Sequence, residues 1–200
     1  ALLILAITII SAWIPFSRRL QSSKGHNFPS FDALAAGIFL GAGLIHMLGD
    51  ANTDFRTMGI HYPIAFLLAG IVFLFLLFLE HLGREIHEHE KVNKAWVIIA
   101  IIMLSIHSLL AGTALGLSLN YTTAIMVLIA ILAHKWAASF ALAVQINNSS
   151  MSVKTGLIYF AIFAIMTPLG VVFGNTLSLI FNHAMFWQAI FMSLAAGTFL

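Results

Sequence analysis

The chain has 200 residues, 61% of them hydrophobic and only 8% charged, with a mean hydropathy of +1.02. Those figures exclude a soluble domain and indicate an integral membrane helix bundle. A formal charge of +2 offers no nucleic-acid-binding face, and zero cysteine excludes disulfides and thiolate ligands, leaving nine His and eight Met as soft donors.

Apolar windows near the roughly 20 residues that a bilayer requires predict seven spans, at 1–16, 31–48, 62–79, 95–119, 122–144, 153–181 and 184–200. The first and seventh fall short of that length, so an all-α polytopic bundle clipped at both ends is expected. No basic stretch precedes the first span, and it ends at Trp13, Ile14, Pro15 and Phe16 rather than at small residues, which argues against a signal peptide. The second carries His46 and Met47 near its end, followed by Asp50, Asp54 and His61. This group either concentrates cations by its negative potential or is simply the polar end of a helix. The phenylalanines from Phe73 to Phe78 in the third span are read as lipid-facing. Loop 80–94 alternates His and Glu, so His81, His87, Glu88 and His89 offer imidazole and carboxylate donors to a released cation, although such a run also suits a solvated helix end. Pro168, inside the sixth span, removes a backbone donor and predicts a kink near 165–168, as a gate or as a static bend. His26, Asn182 and His183 are read as ordinary loop residues.

Arg18, Arg19 and Lys24 follow the first span, Arg84, Lys91 and Lys94 the third, and Lys154 the fifth, whereas the opposite loops hold Arg56 with Asp50 and Asp54. The positive-inside rule then places loop 80–94 in the cytoplasm and the N-terminus outside. With no internal repeat and no soluble insertion, residues 1–200 are expected to form a single transmembrane domain.

The chemistry concentrates in spans four and five. His107 and His134 each lie near the middle of a span, where polar groups are costly and usually functional. Either imidazole alone could donate to a carbonyl of a neighbouring helix. Two at matched depth on adjacent spans point instead to a metal path. Ser108 adjoins His107, Ala111 shares its helix face, and Gly112 with Gly116 permits close approach by another helix. Lys135 adjoins His134 too deep to snorkel, and is expected to face a cavity. A hydrolase built on His107, Ser108 and Lys135 lacks any activated-nucleophile pattern, so the chain is not read as an enzyme and no prosthetic group is expected.

The run His107, Ser108, Leu109, Leu110, Ala111, Gly112, then Ala114 to Leu117, then Ala133, His134 and Lys135, resembles the fourth and fifth spans of the ZIP (Zrt/Irt-like) divalent-metal transporters, in the branch with His-Ser and His-Lys pairs. Further similar blocks run from Gly37 to His46, from Met166 to Gly170 and from Leu194 to Leu200, so the resemblance covers essentially the whole chain in order. It implies eight membrane helices, an outward N-terminus, a cytoplasmic loop between spans three and four, and a plasma membrane or bacterial inner membrane location. It also implies a metal held between spans four and five by the fourth-span histidine, an acidic residue four positions on, and residues of the fifth span. Here the acidic position is Ala111, and the fifth-span position one turn beyond the His-Lys pair is Ala138.

Lys135 stands where two-metal members carry an acidic residue, so its ammonium takes the place of a second cation and at most one transport site is expected. The metal ligands implied are His107, His134 and Ser108 with water, His46 and Asp50 lying toward an entrance. Imidazole donors suit zinc, with Fe2+, Mn2+, Cd2+, Ni2+ and Cu2+ open. The expected partners are the divalent metal ion and the lipid bilayer, with a homodimer left open. The competing reading is a non-transporting metal sensor or structural relative whose site is disabled by Ala111 and Ala138.

Overall fold

A computed structural model describes residues 1–21, 29–86 and 92–200, with side chains at 1–17, 30, 33–82 and 96–200. All regular structure among them is helical, because in a bilayer only the helix satisfies every backbone polar group within its own segment. α1 (Leu2–Gln21) buries Ile4, Thr8 and Ala12, one residue per turn on a single face, against α6, and leaves Ile9, Ile10 and Trp13 exposed. Asn147 of the sixth helix donates to the Pro15 carbonyl at 2.6 Å and so ties the two helices together.

α2 (Pro29–Gly41), a π-helical turn (Ala42–Met47) and α3 (Leu48–Thr57) follow one another without a break. The expected second span ends at 48, but the helix continues to Thr57 because Leu48, Ala51 and Phe55 extend a buried stripe that packs on α8. Asp50, Asp54 and Arg56 are therefore helical residues rather than loop residues. Gly59, at φ +82°, stops the helix: its N–H bonds the Arg56 carbonyl while the Ile60 N–H bonds that of Phe55, a Schellman pairing that favours a residue without a Cβ.

α4 (Ile64–Ile86) also outruns its expected end, so residues 80–86 are helical and His81 sits on an exposed turn. His87, Glu88 and His89 lie outside the described residues, as does His26. Phe75 and Phe78 are exposed, as a lipid-facing stripe requires. α5 (Val92–Gly116), α6 (Tyr121–Asn148), α7 (Val153–Ile180) and α8 (Ala184–Gly197) complete the bundle. α7 starts where the Ser152 hydroxyl accepts the Thr155 N–H and runs helically through Pro168. Among the described residues, five helical segments are long and apolar enough to cross a membrane, while the first and last apolar helices are shorter.

Two features place the site. α6 is the central helix, enclosed on every side from 137 to 144, where small residues alternate with Phe140, Leu142 and Val144. α5 and α7 meet through interleaved glycines: a Cβ on Gly112 would collide with the Thr167 carbonyl, one on Gly116 with that of Val171, one on Gly170 with that of Leu109, and one on Gly174 with that of Thr113. The small-residue spacing of the fourth span thus selects α7 as its partner.

Candidate metal centre

His107 of α5 and His134 of α6 come together in the interior, 3% and 2% exposed, with ring centroids 5.5 Å apart and planes at 74°. The sequence brings them there because each occupies the apolar middle of its own helix and the two helices are neighbours.

The tautomer of His107 follows from its partners. Nδ1 lies 3.1 Å from the Ala195 carbonyl and 2.7 Å from the Thr198 hydroxyl. A carbonyl can only accept, and the Thr198 hydroxyl spends its own proton on that same carbonyl. Nδ1 therefore carries the hydrogen and donates, which leaves the Nε2 lone pair free. Among the described residues that Nε2 is buried without a partner, and so is Nδ1 of His134. An unmet buried polar atom costs about 1–3 kcal/mol, so both nitrogens stand out as candidate ligand positions.

Lys135, expected to face a cavity, is buried. Its ammonium donates to Ser108 at 2.7 Å and to Thr167 at 2.9 Å, and lies 3.9 Å from the centroid of the Phe163 ring, so it ties α6 to α5 and α7. Depth is the physical reason: a side chain 2% exposed has no route to water and must find hydroxyl and aromatic partners inside. Ser108 is consequently held by Lys135. No acidic residue occurs in α5, α6, α7 or α8 to offset that charge.

His46 and Asp50 form a separate pair, Nδ1 to Oδ2 at 2.7 Å, one turn apart on span two. Among the described residues no three His, Asp or Glu side chains converge as a ready-made cluster. Ala111 and Ala138 are both buried in the interior.

Thr167, Ala195, Thr198 and Phe199 were not singled out by the sequence reading, although the blocks containing them resembled the family. Thr167 beside Pro168, and a threonine one residue after Gly197, were the available signals.

The family model described as "ZIP Zinc transporter" matches residues 91–200, from the start of α5 to the end of α8. The chain is 23% identical to zinc transporter ZIP2 of Mus musculus over 238 aligned residues, covering 91% of this chain and 77% of that protein. It is 32% identical to zinc transporter ZIP1 of Danio rerio over 122 residues, 60% of this chain and 39% of the relative. With protein zntD of Dictyostelium discoideum it shares 34% over 131 residues, 60% of this chain and 19% of the relative. This is a polytopic membrane protein of the ZIP family of zinc transporters.

Proposed function

We propose that this chain carries zinc through a site made by His107 and His134, between α5 and α6, toward the side bearing Arg18, Arg19, Lys91 and Lys94. One observation carries the reading: two imidazole nitrogens on adjacent membrane helices, both buried and without partners among the described residues. Zinc–nitrogen bonds of 2.0–2.1 Å and a tetrahedral angle require ring centroids about 5.2 Å apart. The observed 5.5 Å fits one shared ion. The hydrogen bond from Nδ1 of His107 to the Ala195 carbonyl supports ligation by orienting the ring and raising the basicity of the opposite nitrogen.

Water completes the coordination. Two protein donors instead of the four of a structural zinc site make a shallow well, which a transported ion must leave as readily as it enters. The Lys135 ammonium acts in the same direction by repelling a second cation. Zinc is the cargo named for the relatives, and neutral imidazole donors suit it. His46 with Asp50 stands on the approach, the His- and Glu-rich segment 80–94 receives the ion on the cytoplasmic side, and residues 1–200 act as one transporter domain.

Zinc uptake into proteoliposomes carrying a zinc-sensitive dye tests the reading. His107→Ala and His134→Ala should each abolish uptake, while Phe75→Ala on the lipid face should leave it unchanged. Uptake surviving loss of both imidazoles would refute the site. A second reading, a scaffold that no longer transports, rests on the absence of donors at Ala111 and Ala138. It predicts no uptake by the unaltered chain and uptake once Ala111→Glu restores a carboxylate.

A further inference from the structure

Phe199 occupies an unusual position for an apolar side chain. Its ring stacks on His107 with centroids 3.6 Å apart and planes at 26°, and meets His134 edge to face at 5.2 Å and 85°. On the other side it stacks on Phe39 of α2, at 5.0 Å and 15°. The ring is thus a wedge between the two imidazoles and span two.

The chain makes room for this wedge. Gly43, in the π-helical turn, is buried against it: a Cβ there would come within 3.2 Å of the Phe199 Cβ, closer than such atoms normally approach. π-helical turns recur at functional sites because the extra residue per turn redirects the side chains that follow. The same turn carries His46, which is paired to Asp50. The neighbouring residue, Thr198, receives the Nδ1 hydrogen of His107, so one turn at the end of α8 both orients the imidazole and covers it.

We propose that Phe199 is the closing residue of the two-histidine site: its ring separates His107 and His134 from the His46–Asp50 end of span two, and must swing aside for a divalent cation to pass between them. This inference rests on the zinc-site reading above. An apolar ring at this place excludes water from the imidazoles while closed, and offers a departing ion no donor that would detain it.

Accessibility of the imidazoles tests the proposal without requiring transport. The full chain in detergent is treated with diethyl pyrocarbonate, which carbethoxylates neutral imidazole, and modification of His107 and His134 is followed by peptide mass spectrometry. In the unaltered chain both should react slowly, with exposed His61 as the internal reference. Along the series Phe199→Met, Phe199→Val and Phe199→Ala, their rates should climb as ring volume is lost, by at least tenfold at alanine. Zinc should then protect both residues.

A flat rate across those members that elute from gel filtration as the unaltered chain does would overturn the closing role; the milder substitutions keep the test decisive if alanine fails to fold. Rates that climb without protection by zinc would leave Phe199 as the cover and overturn the metal-site reading instead.

Discussion

Replacing Gly170 with alanine should loosen the α5–α7 interface and, through it, the site. The new Cβ would strike the Leu109 carbonyl and lie 2.9 Å from the Thr113 nitrogen and 3.1 Å from the Gly112 carbonyl carbon. Ordinary contact begins at 3.4 Å, so the helices must part by at least 0.5 Å to relieve the Thr113 nitrogen alone. Both walls are main chain, so no side chain can rotate away. Overpacking of this kind costs about 1–3 kcal/mol, here at the upper end. Alanine regains up to about 1 kcal/mol of helix propensity over glycine. The clash wins, for a net loss of about 1–2 kcal/mol.

Gly37→Ala is the control, since nothing lies within 4 Å of its would-be Cβ; propensity acts alone there and should stabilise. Equilibrium unfolding in mixed micelles, followed by helical circular dichroism, measures both. The displacement also reaches Thr167, nearly one turn from Gly170, and weakens its 2.9 Å bond to Lys135 by stretching it. Zinc uptake should therefore fall alongside stability. A Gly170→Ala protein as stable as the unaltered chain would refute the close-packed glycine interface.

Three further outcomes are expected. Lys135→Met should raise zinc affinity roughly tenfold or more, the scale of one nearby charge at an effective dielectric near 20, while Ser108 and Thr167 turn to carbonyls of their own helices; calorimetric titration showing unchanged or weaker binding would remove Lys135 from the electrostatics of the site. Ala111→Glu, one turn from His107 on the same face, should tighten zinc binding by about tenfold through an added anionic donor, and an unchanged dissociation constant would place Ala111 away from the ion. Zinc binding should not strengthen as the pH falls, because an imidazole must be neutral to ligate and protons compete for the same lone pair; tighter binding in acid would contradict a two-imidazole site.

The sequence alone determined the class, the spans and the depth of the key residues. A bilayer imposes a one-dimensional constraint, an apolar run of fixed length, and that constraint can be read without knowing which helices touch. His107 and His134 stood out for the same reason, as polar groups in the middle of such runs. Local pattern failed where burial of a mixed surface took over from hydropathy: the helix from span two continues past Leu48 because Ala51 and Phe55 pack on α8, despite the polar residues between them.

Tertiary structure alone decided the rest. The donors and covers of the site come from far along the chain, Ala195 and Thr198 lying 88 and 91 residues from His107, and Thr167 lying 32 from Lys135. Which imidazole nitrogen keeps its lone pair, and which ring closes over it, depends on how α8 rotates against α5. Hydropathy carries no information about that rotation, because it is fixed by side-chain contact between helices and not by the membrane that surrounds them.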